Sequence, residues 1–107
     1  MIGGMGNDVR VVDSPERKRY EAVIDGKVAG FAEYLTAGRL TVFTHTEVGS
    51  EYEGQGVGGA LARFGLDDVR AKGQEVLPLC PFVKGWIDRH PDYADLLYRS
   101  KPSTATD

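Results

Sequence analysis

The residues Glu53-Gly54-Gln55-Gly56-Val57-Gly58-Gly59 crowd four glycines between a strand-like run and a helix-like run. Glycine admits the backbone angles that let successive N–H groups converge, and the first N–H groups of a helix have no partner within it. Together with the positive end of the helix dipole, such a turn holds phosphate or pyrophosphate without a lysine. A phosphate-bearing ligand is the first chemistry the chain offers. Cys80, its one cysteine, stands just before Pro81, a residue well suited to a first helical position. A helix dipole there favours thiolate, so Cys80 is a candidate nucleophile or pocket lining; a buried, inert thiol is the plainer fate. His45 and Glu47 alternate along a strand-like run and, in an unbulged strand, share a face with Thr41 and Phe43.

These groups need a frame. The 107 residues suffice for one domain, and 41% hydrophobic with 27% charged residues is an ordinary soluble composition. A net charge of −3 gives no electrostatic ground for nucleic acid as a partner. No apolar run reaches membrane-span length, so no membrane partner is expected, and the start lacks the pattern of a signal peptide. A single cysteine fits a reducing, cytoplasmic setting. His45, Cys80 and His90 lack metal-site spacing, so no metal is expected.

The expected domain spans residues 10–99, with a flexible start over 1–9 and a disordered tail over 100–107. Arg10 to Val12 can open an edge strand. Arg17 to Ile24 reads as a strand with Tyr20, Ala22 and Ile24 on one face, and Asp25-Gly26 is a strong hairpin signal. Val28 to Leu35 forms the return, Thr36-Ala37-Gly38 a turn, and Leu40 to Val48 the next strand. Val57 to Lys72 follows as a helix, with Val57, Ala60, Leu61 and Phe64 on one side and Asp68 intruding there. Val76 to Leu79 is a short strand whose proline asks for an edge or a bulge. Phe82 to Arg89 is a short helix ended by Pro91. Strands first, then helix, strand and helix, argue α+β rather than a doubly wound parallel sheet.

The glycine loop admits several ligands. A nucleotide P-loop needs Gly-Lys-Ser/Thr, and Gly58-Gly59-Ala60 stands there instead. Gly54, Gly56 and Gly59 satisfy a dinucleotide G-x-G-x-x-G spacing, but the loop is expected to follow a meander rather than open a βαβ unit. The third ligand is coenzyme A. His45-Thr46-Glu47-Val48 followed by Glu53 to Gly59 resembles the acyl-CoA motif of the GNAT superfamily of N-acetyltransferases, written R/Q-x-x-G-x-G/A. Gly56 and Gly58 match its small positions, while Glu53 departs from the usual arginine or glutamine. The chain resembles more closely the small single-domain GNAT-like group, through Pro78-Leu79-Cys80-Pro81-Phe82-Val83, Ile87 and His90-Pro91-Asp92-Tyr93-Ala94-Asp95-Leu96.

That resemblance implies a compact GNAT-like fold and transfer of an acetyl group from acetyl-CoA to an amine, directly or through Cys80. It implies phosphate contacts from Gly54, Gln55, Gly56, Val57, Gly58 and Gly59, and a carbonyl-polarising N–H at Val48. Glu47 or His45 would be the base, and Tyr20, Tyr34 or Tyr52 could protonate the leaving thiolate. Larger relatives carry one or two helices before the meander, for which little chain precedes Arg17. The acceptor side would then be open, or completed in a homodimer rather than a monomer. A non-enzymatic acyl-CoA-binding module is the alternative function.

Overall fold

The computed structural model describes residues 8–99, so the expected flexible start up to residue 7 and the expected tail at 100–107 lie outside the described residues. Five strands form one sheet in chain order: β1 (Arg10–Ser14), β2 (Arg19–Ile24), β3 (Lys27–Ala37), β4 (Leu40–Val48) and β5 (Glu75–Pro78). The first four run antiparallel, and β5 lies parallel to β4. Helix α1 (Val57–Ala71) joins β4 to β5, and α2 (Pro81–Arg89) and a 3₁₀ turn (Pro91–Leu96) follow. This is the α+β arrangement expected of a GNAT fold.

Local chemistry sets the joints. Asp25 and Gly26 take φ of 51° and 79°, the pair of positive angles that a tight hairpin requires. The next turn falls at Gly38 and Arg39 rather than at Thr36 to Gly38. Thr36 and Ala37 stay in the ladder opposite Thr41 and Leu40, and the positive φ falls on Gly38. Because β4, α1 and β5 form a parallel crossover, the glycine loop does open a βαβ unit, against the expectation from the meander. Sequence order could not show it, since four antiparallel strands and one parallel strand share a single sheet.

The core lies between α1 and the sheet face bearing Tyr20, Ala22, Ile24, Ala32 and Phe43. On α1 the buried side is Val57, Leu61, Ala62, Gly65, Leu66 and Val69, turned from the expected stripe. Ala60 is half-buried and Phe64 is exposed at the rim, its ring edge-on to Tyr20. Gly65 allows the close approach: a methyl there would stand 3.1 Å from Cζ of Phe43. Asp68, the apparent intruder, accepts the Tyr20 hydroxyl at 2.8 Å and pairs with Lys72 at 2.9 Å. Asp95 ties the last turn to α1 through both oxygens on Arg70, at 2.9 and 3.0 Å. His90 closes α2, with Nδ1 2.7 Å from the Trp86 carbonyl and its ring stacked on Trp86.

Candidate active site

The pairing of β4 with β5 ends at Phe43 and Pro78, while β4 continues to Val48 with no strand paired on that side among the described residues. The N–H groups of Leu79 and Cys80 both bond the Phe43 carbonyl, at 2.9 and 3.0 Å, so the chain turns away there into α2. Proline cannot extend the ladder, which explains why the strand leaves at this point. A gap therefore opens beside the second half of β4.

Which groups face the gap follows from the ladder. Gly49 N–H bonds the Ala29 carbonyl at 2.8 Å, so the alternate residues Glu47 and His45 also direct their backbone groups at β3. The backbone groups of Thr46 and Val48 point to the opposite edge, into the gap. A bulge adds one residue to β4: Glu33 faces His45 but Tyr34 faces Phe43, leaving Thr44 unpaired. That extra residue flips the side-chain alternation. His45 and Glu47 consequently lie on the sheet face opposite Thr41 and Phe43, not on the shared face expected of an unbulged strand. Thr46 and Val48 join the inner face with Phe43.

On that inner side the Cys80 thiol, 3% exposed, donates to Thr46 Oγ1 at 3.3 Å. Cys80 is the N-cap of α2, with Pro81 at the first helical position, as its sequence setting implied. Buried against the Thr46 hydroxyl, the sulfur lines the gap. On the outer side His45 Nε2 stands 3.1 Å from Glu47 Oε2, both well exposed. The His45 ring neighbours Phe31, the Arg19 guanidinium lies 4.4 Å above Phe31, and Arg19 Nε bonds Glu21 at 2.8 Å.

The glycine loop adjoins the same end of β4. Gly54 and Gly56 have φ of 83° and 79°, and a methyl at either would meet nothing within 4 Å. Gly56 is the N-cap of α1 and supplies no side chain to it; the first turn carries no acid. Ala60 N–H bonds Gly56 O, so Val57, Gly58 and Gly59 present the donors that begin the helix. Gln55 N–H, in contrast, bonds the Tyr52 carbonyl at 3.3 Å. Gly58 serves packing, since an added methyl would stand 2.7 Å from Phe82, whereas one on Gly59 would meet Trp86 at an ordinary 3.7 Å. Trp86 is core, whereas Phe82 is partly exposed over Gly58. The exposed Glu53 lies outside the helix and its first turn.

Two of the three tyrosines stand elsewhere. Tyr20 and Tyr34 donate to Asp68 and Asp13 near the start of β4 and the end of α1. Burial foremost, then those hydrogen bonds, push both phenols well above their ordinary range. They line a concavity of about 330 Å³, with Lys72 and Gln74 just beyond the end of α1. Only Tyr52 adjoins the loop, where a methyl on Gly49 would meet its ring at 3.2 Å. Among the described residues no three His, Cys, Asp or Glu side chains gather as a metal site.

Sequence reasoning missed Thr46 and Arg19. A hydroxyl two residues before Val48 gave no signal until the bulge turned it inward, and Arg19 is legible only through strand register.

A parallel strand pair that parts beside a glycine-capped helix defines the class: an α+β fold with a glycine-rich turn at its split sheet. The sequence profile described as GCN5-related N-acetyl-transferase matches residues 19–96, and the chain belongs to that family. A GCN5-like N-acetyltransferase candidate from Staphylococcus aureus, solved by NMR, shares the fold at a TM-score of 0.66. It is 18% identical, over 96% of this chain and all (100%) of that one. The ribosomal-protein-alanine N-acetyltransferase of Brucella melitensis biovar Abortus 2308 gives 0.52 at 20% identity, over 80% of this chain and 64% of that one. At these identities the likeness speaks for the fold. No curated protein matches the chain.

Proposed function

We propose that the protein is an N-acetyltransferase that takes the acetyl group of acetyl-CoA and passes it to an amine by direct attack. The observation that carries this reading is the gap beside β4, where the Val48 N–H faces the side from which β5 has departed, next to the uncapped start of α1. Gly56 through Gly59 suit the pyrophosphate, since no side chain caps these donors and no acid repels the anion. Acetyl-CoA supplies an activated thioester carbonyl. The Val48 N–H stabilises negative charge developing on its oxygen. Glu47, or His45 beside it, accepts the amine's proton from the outer face. The N–C bond forms as the C–S bond breaks, and the leaving sulfur takes a proton, for which Tyr52 is the nearest phenol to the loop. The burial of Cys80 against Thr46 favours lining the gap over covalent transfer.

Calorimetric titration with acetyl-CoA, with NADH run beside it, tests the ligand. Saturable binding of acetyl-CoA alone is expected; equal binding of NADH, or none of acetyl-CoA, overturns the assignment. Release of free thiol that accelerates with an amine then tests turnover. The openness of the outer face, where Glu47 and His45 are exposed, favours a second reading as a non-enzymatic acyl-CoA-binding module. Tight binding with no amine-dependent thiol release would support it. We place the protein in the cytoplasm, acting as monomer or homodimer on acetyl-CoA and an amine, with no metal, nucleic acid or membrane required.

A further inference from the structure

On the outer face, beside Val48, lies a concavity of about 240 Å³ lined by Arg19, Val28, Phe31, Glu47, Val48 and Gly49. Strand register puts Phe31 directly between Glu21 on β2 and Glu47 on β4. Arg19 reaches over this row: its guanidinium stacks 4.4 Å above Phe31, and its Nε is held by Glu21. Glu21 is in turn held by Arg17 at 3.3 Å, so Arg19 is fixed in place without being fully consumed. Among the described residues its two terminal nitrogens take no hydrogen bond. Such a fork, planar and oriented by stacking, suits a carboxylate. Glu47 supplies the opposite charge on β4, and it pairs with His45 rather than Arg19.

We infer that this concavity is the acceptor pocket and that the acceptor is an apolar α-amino acid, its carboxylate on Arg19 and its amine toward Glu47. This rests on the acetyltransferase reading above and names its substrate class. Neighbouring strands lie about 4.8 Å apart, so a molecule bridging Arg19 over β3 and Glu47 on β4 must carry its two charges close together, as across a single α-carbon. A diamine would leave the fork of Arg19 facing a cation. Val28, 45% exposed, and the free part of Phe31 offer an apolar wall for the side chain. Val48 borders both this concavity and the gap, so an amine seated by Glu47 lies beside the group that polarises the carbonyl.

The test is a titration of the full chain, with and without coenzyme A, by L-leucine and by 3-methylbutylamine, which keeps the amine and side chain but lacks the carboxylate. Backbone amide shifts report binding. Leucine is expected to shift Arg19, Phe31, Glu47 and Gly49 saturably and at least about tenfold more tightly than the amine, the worth of a charge-assisted contact. In Arg19→Gln that preference should collapse toward unity. Equal binding of the two probes, or leucine shifts elsewhere, overturns the inference, and this contrast needs no variant to fold. Acetylation of other amines with no leucine binding would remove the inference and keep the transferase; leucine binding at these residues without acetylation would keep the amino-acid site but overturn its role as acceptor pocket.

Discussion

Gly56 and Gly26 form a matched pair for testing the glycine loop. Both have φ of 79°, and an added methyl would meet nothing within 4 Å at either site. Gly26 lies in the β2–β3 hairpin, and Gly56 caps α1. Alanine at each site must hold a left-handed backbone at a cost of about 1–2 kcal/mol. In a domain of this size that lowers Tm by roughly 4–16 °C. The stability losses should agree, because the backbone angle is the same and no clash distinguishes them. Binding should not agree. If α1's first donors cradle the pyrophosphate, Gly56→Ala disturbs one or two bonds to a charged group, each worth about 1.5–3 kcal/mol. Acetyl-CoA affinity should fall at least about tenfold, and a hundredfold if two are lost. Gly26→Ala should bind as the parent does. Thermal melts and calorimetric titrations on the two variants decide it. Equal affinities for acetyl-CoA at equal loss of Tm would refute the loop as the phosphate site and leave Gly56 as a helix cap alone.

Further outcomes follow from the site and the core. Glu47→Gln should lower kcat/KM for amine acetylation by about a hundredfold or more, read as thiol release, whereas His45→Gln should lose less; the reverse order would make His45 the base. Cys80→Ala should remove any acetylated-protein mass after mixing with acetyl-CoA while steady turnover persists; loss of turnover with retained cofactor binding would make Cys80 an obligatory nucleophile. Alkaline pH should unfold the chain. The folded-state pKa of Tyr20 is raised above its ordinary value of 10.0, so its contribution is full below pH 10 and declines as pH rises beyond it. Tyr20→Phe should reduce the fall in urea-unfolding stability measured between pH 9 and pH 11; an unchanged fall would assign the alkaline loss to other groups.

Much of the frame was legible because its signals are local. Asp25-Gly26, the β4 span and the opposed ends of α1 depend on turn chemistry and on residues close in sequence. The glycine loop and the Cys80-Pro81 start of α2 were legible for the same reason. What could not be read depends on partners far along the chain. Asp68 looked like a fault in an apolar stripe because Tyr20, which it satisfies, lies 48 residues away. The parallel placement of β5 lies in tertiary pairing, and the two tyrosines proposed as acids proved to be core residues tied to Asp68 and Asp13. The bulge at Thr44 matters most for function. Nothing in Phe43-Thr44-His45 announces an extra residue, yet it decides which of Thr46 and Glu47 faces Cys80 and which faces the outer concavity.

Gly30 shows how closely that region of β4 is held. A methyl there would stand 2.6 Å from the Glu47 carbonyl oxygen, 3.1 Å from Val57 Cγ1 and 3.2 Å from Val48 Cα. Two of these obstacles are backbone, which cannot swing aside as a side-chain tip does. Gly30→Ala must therefore part β3 from β4 or displace the start of α1, at about 1–3 kcal/mol for overpacking. Both movements disturb the proposed machinery, since Glu47 and Val48 lie on one side and the helix donors begin at Val57 on the other. Val48 and Glu47 act on the reacting atoms, where small displacements are costly, whereas several loop donors share the phosphate. The expected signature is thus a lower Tm with kcat reduced more than acetyl-CoA affinity. A variant that melts lower but keeps the parental kcat would show that the register of β4 at Glu47 and Val48 does not set the chemistry, and would remove the Val48 N–H from the mechanism.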